Sequence, residues 1–133
     1  FSYTFTDAKF KNSFDSDFGP WGNVSIDDEL PYIPKNMIHA RLGIEKGKIK
    51  SYLRFKHVDK TRTVAGQNTL TKLNSKDASN IFDLVAQYQL NTNLSFNFKV
   101  YNLTDSKVIV SSRPAGYRPN MPRQFVTSLT FDF

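Results

Sequence analysis

The chain has 133 residues, a formal net charge of +6 and only 39% hydrophobic residues, which points to a single domain. No stretch approaches the roughly 18 consecutive apolar residues that a membrane helix needs. The absence of cysteine excludes disulfides and thiolate metal sites. A β-barrel is not excluded, because alternating strands keep mean hydropathy low. Phe1 begins inside an alternating segment rather than in a charged and then apolar leader. The chain is therefore expected to be a mature protein or a piece of a longer one.

In chain order, Phe1, Tyr3 and Phe5 alternate with Ser2, Thr4 and Thr6, the pattern of a strand end. Residues 11–35 are rich in Asp, Gly, Asn and Pro and read as a long loop. Ile38, Ala40, Leu42 and Ile44 then alternate with polar residues up to a Lys46-Gly47-Lys48 turn. Ile49, Ser51, Leu53 and Phe55 continue the alternation beyond it, which predicts a β-hairpin. A second long loop is predicted over 59–79. Asp77 to Leu84 is the one faint helical candidate, although β-forming residues fill its second half. Phe82, Leu84, Ala86, Tyr88 and Leu90 predict a further strand, an Asn91-Thr-Asn93 turn follows, and Leu94, Phe96, Phe98 and Val100 predict the next. A third long loop is predicted over about 105–121. The final segment places Phe125, Thr127, Leu129, Phe131 and Phe133 on one face and Gln124, Val126, Ser128, Thr130 and Asp132 on the other. The chain reads as all-β.

The predicted connections run long, short, long, short, long. Outer-membrane barrels have short periplasmic turns and long extracellular loops. If the C-terminus is periplasmic, the turns at 46–48 and 91–93 fall on the periplasmic side and the three long loops outside. The apolar positions of each strand then face lipid. A soluble β-sandwich that binds a ligand or carbohydrate, with the loop aromatics as its platform, is the alternative. It explains the alternation but not the loop parity or the aromatic last strand.

Several segments together resemble TonB-dependent outer-membrane receptors. Tyr3-Thr-Phe-Thr-Asp-Ala-Lys9 is similar to the family's Y-x-x-T-D-A strand end, and Leu30-Pro-Tyr-Ile-Pro-Lys-Asn36 to its L-x-x-V-P-x-H/N approach to the next strand. Tyr101-Asn-Leu-Thr-Asp-Ser-Lys107 resembles the N-L-F-D element, with Thr104 in place of the aromatic. The segment 113–123 is similar to the last loop, which closes on G-x-P-R, with Asn120 where Gly is commoner. The resemblance implies the last six antiparallel strands of a transmembrane β-barrel, which is 22-stranded in the family. The plug domain and upstream strands would lie outside this chain. It further implies a bacterial outer-membrane location and import of a ferric chelate, siderophore or ferric citrate, with energy from the TonB system. The partners implied are the plug and upstream strands, the TonB complex acting through the plug, outer-membrane lipid, and the barrel-assembly machinery. That machinery would read Phe125, Leu129, Phe131 and Phe133.

Candidate site residues follow from charge and position. His39, Arg41, Glu45, Lys50, Arg54, Lys56, Asp83 and Lys99 are predicted on the lumenal face. Arg54 and Lys56 among them are expected to draw in an anionic ligand; the plainer reading is that these groups pair with one another or with the plug. Arg113 and Arg118, with Tyr117 between them, are the candidate clamp of the last loop, because guanidinium forks fit carboxylates. Ferric citrate suits that chemistry, while haem, cobalamin and catechol siderophores stay open. Tyr3, Phe14, Phe18, Trp21, Tyr32 and Tyr117 are expected in or beside the outer loops. His39 and His57 are predicted on opposite faces, which argues against a two-His metal site. No intrinsic cofactor, enzymatic chemistry or nucleic-acid partner is expected; the ferric chelate would be cargo.

Overall fold

The computed structural model of the protein describes residues 1–112 and 116–133. Six strands form one antiparallel sheet in chain order: β1 (Ser2–Phe5), β2 (Asn36–Lys46), β3 (Ile49–Val58), β4 (Ser79–Gln89), β5 (Leu94–Tyr101) and β6 (Gln124–Phe131). No helix occurs among the described residues, and from Ser79 onward the faint helical candidate at Asp77–Leu84 is the start of β4. Its β-branched and aromatic residues, Ile81 and Phe82, complete pairs with Lys56 and Phe55 on β3. That pairing decides the conformation against weak local helical propensity.

Register fixes which side chains share a face, because directly paired residues in an antiparallel ladder point the same way. Leu42 pairs with Leu53 and Leu53 with Leu84, which in turn pairs with Val100 and that with Phe125. One apolar row thus crosses five strands. The next row on the same face runs Ala40, Phe55, Phe82, and another runs Ala86, Phe98, Thr127. The opposite face carries the rows His39–Lys56–Ile81, Arg41–Arg54–Asp83 and Glu45–Lys50–Gln87–Asn97–Ser128. The expected two-faced sheet is present, position for position.

Neither face is covered by a second layer. Among the described residues the buried hydrophobics are Val24 and Val100, whereas Leu42, Ile44, Phe125 and Leu129 are each more than 60% exposed. A water-soluble sandwich would bury these side chains against a second sheet. The remaining strand pairs have two or three residues per strand and lie in the loops. An apolar face this continuous is larger than soluble monomers ordinarily expose.

The two short connections differ in construction. Lys46 belongs to β2, so the first turn has only Gly47 and Lys48 at its centre, with Gly47 at φ 56°. A positive-φ glycine at the first central position is the pattern of a type II′ hairpin turn. The second turn runs from Leu90 to Asn93, where the Asn91 side-chain oxygen accepts from the backbone N–H of Asn93 and Leu94 at 2.9 and 2.8 Å. This side chain imitates a backbone turn.

The long loops are more ordered than their polar composition suggests. Each holds one short strand pair: Phe14–Asp15 with Asn23–Val24, Thr61–Arg62 with Ser75–Lys76, and Ile109–Ser111 with Arg118–Pro119. The third loop starts at Asn102, earlier than its composition indicates, and runs to Arg123.

Candidate functional site

The four family-like segments pair off in space. In the first pair, Leu30 N–H donates to Ala8 and Thr6 N–H to Lys35, while the Tyr3 hydroxyl donates to Asn36 Oδ1 at 2.7 Å. In the second, buried Asn102 is the hub. Its Nδ2 donates to the carbonyls of Ser106 and Met121, both at 2.9 Å, and its Oδ1 accepts from Ser106 N–H. Asp105 Oδ1 accepts from Arg123 N–H at 3.0 Å. Asn102 and Asp105 both stand at positive φ, about 50°, a conformation that Asn and Asp tolerate better than most residues. These motifs therefore brace the two ends of each loop where it leaves and rejoins the sheet.

The first two loops are joined by a charged cluster. Arg62, 5% exposed, donates from Nε to Glu29 Oε2 at 2.9 Å and from NH2 to the Asn68 carbonyl. Lys35 Nζ lies 2.5 Å from Glu29 Oε1. The Lys35 hydrogen bond, assisted by Arg62 against partial burial, holds the Glu29 carboxyl below its ordinary range. Backbone bonds from Glu29 to Gly66, Tyr32 to Arg62 and Ala65 to Pro20 complete the seam. The third loop touches this body through Ile109 N–H on Asp77 Oδ2 at 3.3 Å and through Tyr32 Oη and Ser112 Oγ, 3.5 Å apart.

Beneath the loops, the polar face of the sheet carries paired charges. Arg54 lies 3.6 Å from Asp83, whose other oxygen accepts from Asn102 N–H at 3.0 Å. Lower down, the Tyr52 hydroxyl donates to Glu45, which also faces Lys50 at 3.7 Å, and the Arg41 guanidinium stacks 3.7 Å from the Tyr52 ring centroid. Much of the expected lumenal charge is thus neutralised within the sheet. Lys56 and Lys99 are different: no ion pair or side-chain hydrogen bond engages either among the described residues.

Lys56 opens onto a cleft of about 510 Å³ where the third loop overhangs the polar face. Val58, Ile81, Tyr101, Val110 and Met121 form its apolar wall, and Lys76 stands in it beside Lys56. Burial, followed by the nearby positive charge of Lys56, pushes the Lys76 ammonium below its ordinary range.

The remaining candidates are dispersed. Tyr117, 59% exposed, lines a neighbouring cleft of about 400 Å³ with Lys72, Ser75, Asp77 and Ile109; Asp77 borders both clefts. Arg118 NH2 donates to Ser111 Oγ at 3.3 Å across its short strand pair. Arg113 lies outside the described residues. Phe125, Leu129 and Phe131 line the apolar face, and the Phe131 and Phe133 rings meet edge to face at 5.4 Å. Of the loop aromatics, Phe14, Phe18 and Trp21 gather with Phe10 in an edge-to-face cluster with centroids 5.4–5.8 Å apart, which neither Tyr32 nor Tyr117 joins. His39 and His57 fall on opposite faces, as expected: His39 pairs with Lys56, and His57 with Ile38. Lys76 and Asn102 were the residues that composition alone passed over. Lys76 sits in a polar loop with no periodicity, whereas Asn102 had its signal in the N-L-T-D segment.

No protein-family model matches the chain, and none of the curated proteins compared matches it in sequence. Its structure is similar to that of the ferric-catecholate import receptor Fiu from E. coli K12. Against the closed form, the similarity has a TM-score of 0.78 at 22% identity and covers 98% of this chain and 18% of that one. Against the open form the TM-score is 0.66 at 22% identity, covering 76% and 16%. The chain has the fold of a section of that receptor's β-barrel wall, six antiparallel strands with their loops. It spans less than a fifth of the length of the receptor it resembles.

Proposed function

We propose that the chain is the C-terminal part of an outer-membrane receptor that binds an anionic ferric chelate and passes it inward with energy from the TonB system. The observation that carries this reading is the two-faced sheet: an uncovered apolar face for lipid, and an opposite face whose charged rows lead up to a cation-bearing cleft under joined loops. The import of a ferric chelate by the structurally similar receptor supports it. The plug and the upstream strands would complete the barrel. The apolar row ending in Phe131 suits recognition by the barrel-assembly machinery.

In this reading the loops and the outer end of the polar face collect ligand. Arg113, Tyr117 and Arg118 act from the third loop, and Arg54 and Lys56 act from β3. Lys56 offers an uncommitted charge for steering, whereas Arg54 divides its charge with Asp83. The test is uptake of radioactive iron by cells carrying the full-length receptor, with ferric chelates of catechol and carboxylate type. Uptake that disappears when the inner-membrane energy supply is collapsed is the expected result. Absence of both binding and uptake for every ferric chelate, with the receptor present at the surface, would overturn the reading.

A further inference from the structure

Thr61 is 2% exposed, and its hydroxyl Oγ1 is buried without a hydrogen-bond partner among the described residues. Such a group is costly, because folding strips its water and returns nothing in exchange. Thr61 also lines a pocket of about 110 Å³. Three stretches of chain meet there: residues 6–8 just beyond β1, residues 29–35 leading into β2, and residues 59–62 just beyond β3. The pocket carries three carboxylates, Asp7, Glu29 and Asp59, and three cations, Lys35, Lys60 and Arg62. Most of these groups are already committed. Glu29 holds Lys35 and Arg62, and Asp59 accepts from the backbone and side-chain amides of Asn36 and faces His57 Nε2 at 3.0 Å. Asp7 lies 3.7 Å from Lys9, and Lys60 Nζ donates to the Leu70 carbonyl.

Equal numbers of each sign give the pocket no preference for a cation or an anion. Its polar wall does not suit an apolar ligand, since cavities that stay dry are lined by hydrocarbon. A small neutral molecule that both donates and accepts hydrogen bonds fits this lining. At about 30 Å³ per molecule, the pocket has room for on the order of three waters. We infer that it is a structural-water site, in which an ordered water bonds to Thr61 Oγ1 and links that hydroxyl to the polar wall. The seam between the first two loops is then closed in part through water. A hydroxyl can donate or accept, so one water satisfies it and keeps two or three further bonds for the neighbouring segments. This water belongs to the joint itself and is independent of any ligand that the receptor carries.

The experiment uses the full-length receptor in detergent, crystallised with rubidium in place of sodium, together with hydrogen exchange of Thr61→Val. In the wild type, ordered density without anomalous signal should stand within hydrogen-bond distance of Thr61 Oγ1. Rubidium scattering at that position would overturn water as the occupant, and the lack of any density there would overturn the inference altogether. Thr61→Val keeps the shape of the side chain and removes the hydroxyl, so the density should go with it. Protection of the Tyr32 amide, bonded to the Arg62 carbonyl across the seam, and of the Thr63 amide, bonded to Asn74, should fall about three- to tenfold, as for loss of one hydrogen bond. The Asn120 amide, bonded to Val108 in the third loop, should keep its protection. The sign of the change decides the matter. An unhydrated hydroxyl is a burden that valine relieves, so raised protection at Tyr32 and Thr63 would overturn the inference, and so would unchanged protection.

Discussion

Tyr52 lies across Gly43 on the adjacent strand, with its ring carbons 2.4 and 2.8 Å from where a Cβ would stand. The glycine leaves the gap that the ring fills, in the manner of an aromatic covering a strand glycine. Arg41 stacks on the same ring, and Glu45 accepts its hydroxyl proton. A missing side chain on β2 thus organises three charged or polar groups on the polar face.

Gly43→Ala should therefore displace the ring by at least about 1 Å to restore ordinary carbon–carbon separation. The Arg41 stacking and the Glu45 hydrogen bond should weaken with it. Thermal unfolding of the full receptor should show a lowered midpoint for Gly43→Ala. Much of that loss should vanish in a Tyr52→Ala background, because the two changes act on one contact. Strict additivity of the two substitutions would show that the ring does not depend on the glycine.

The facing of the sheet gives a sharper contrast. Phe98 and Asn97 are neighbours in β5 but belong to opposite faces, since Phe98 pairs with Ala86 and Asn97 with Gln87. Phe98→Arg should cost roughly 2–4 kcal/mol near the bilayer midplane. Asn97→Arg should be tolerated within about 0.5 kcal/mol, as a change at a polar position away from the core. Urea unfolding in lipid vesicles measures both. Equal costs would reverse or erase the assignment of faces.

Asn102 ties the start of the third loop to its end. Asn102→Ala removes three side-chain hydrogen bonds, leaves the Ser106 and Met121 carbonyls with only the Asn120 side-chain amide as donor, and puts a less tolerant residue at positive φ. The combined cost is about 2–4 kcal/mol. The visible consequence should be protease cleavage between 102 and 123 under conditions where the wild-type loop resists. A cleavage pattern identical to wild type would mean that the loop is held elsewhere.

The seam between the first two loops should respond to acid. Glu29 has a folded-state pKa held down by Lys35 and then Arg62. Its contribution is therefore present above the ordinary glutamate range and lost as pH falls through that range towards the depressed value. Lys35 is raised by the same pair, so its contribution is complete below the ordinary lysine range and fades only as pH rises through the elevated value. Between those limits the seam is intact. The protection of the Arg62 and Glu29 amides, taken relative to intrinsic exchange at each pH, should fall on acidification in the wild type. Glu29→Gln should show low protection already at neutral pH, with little further change in protection on acidification. A wild-type seam equally protected on both sides of the carboxylate range would refute the role given to Glu29.

Much of the architecture was legible in the chain, because a strand writes its facing into every second residue. Leu42, Leu53, Leu84 and Phe125 announced one apolar face, and each lands in one row. The charged positions from His39 to Lys99 land opposite. The loops were not legible in this way. Residues 59–78 have no periodicity, and nothing local says that Arg62 would be buried against Glu29 or that Lys76 would share a cleft with Lys56. Such contacts are chosen by the folding of three loops onto one another, through pairs that are dozens of residues apart. Single loop arginines stand out in a sequence by their spacing, whereas the free charge of Lys56 emerges only after Asp83 has been spent on Arg54. Alternation with period two determined the sheet, and long-range neutralisation of charge decided the site.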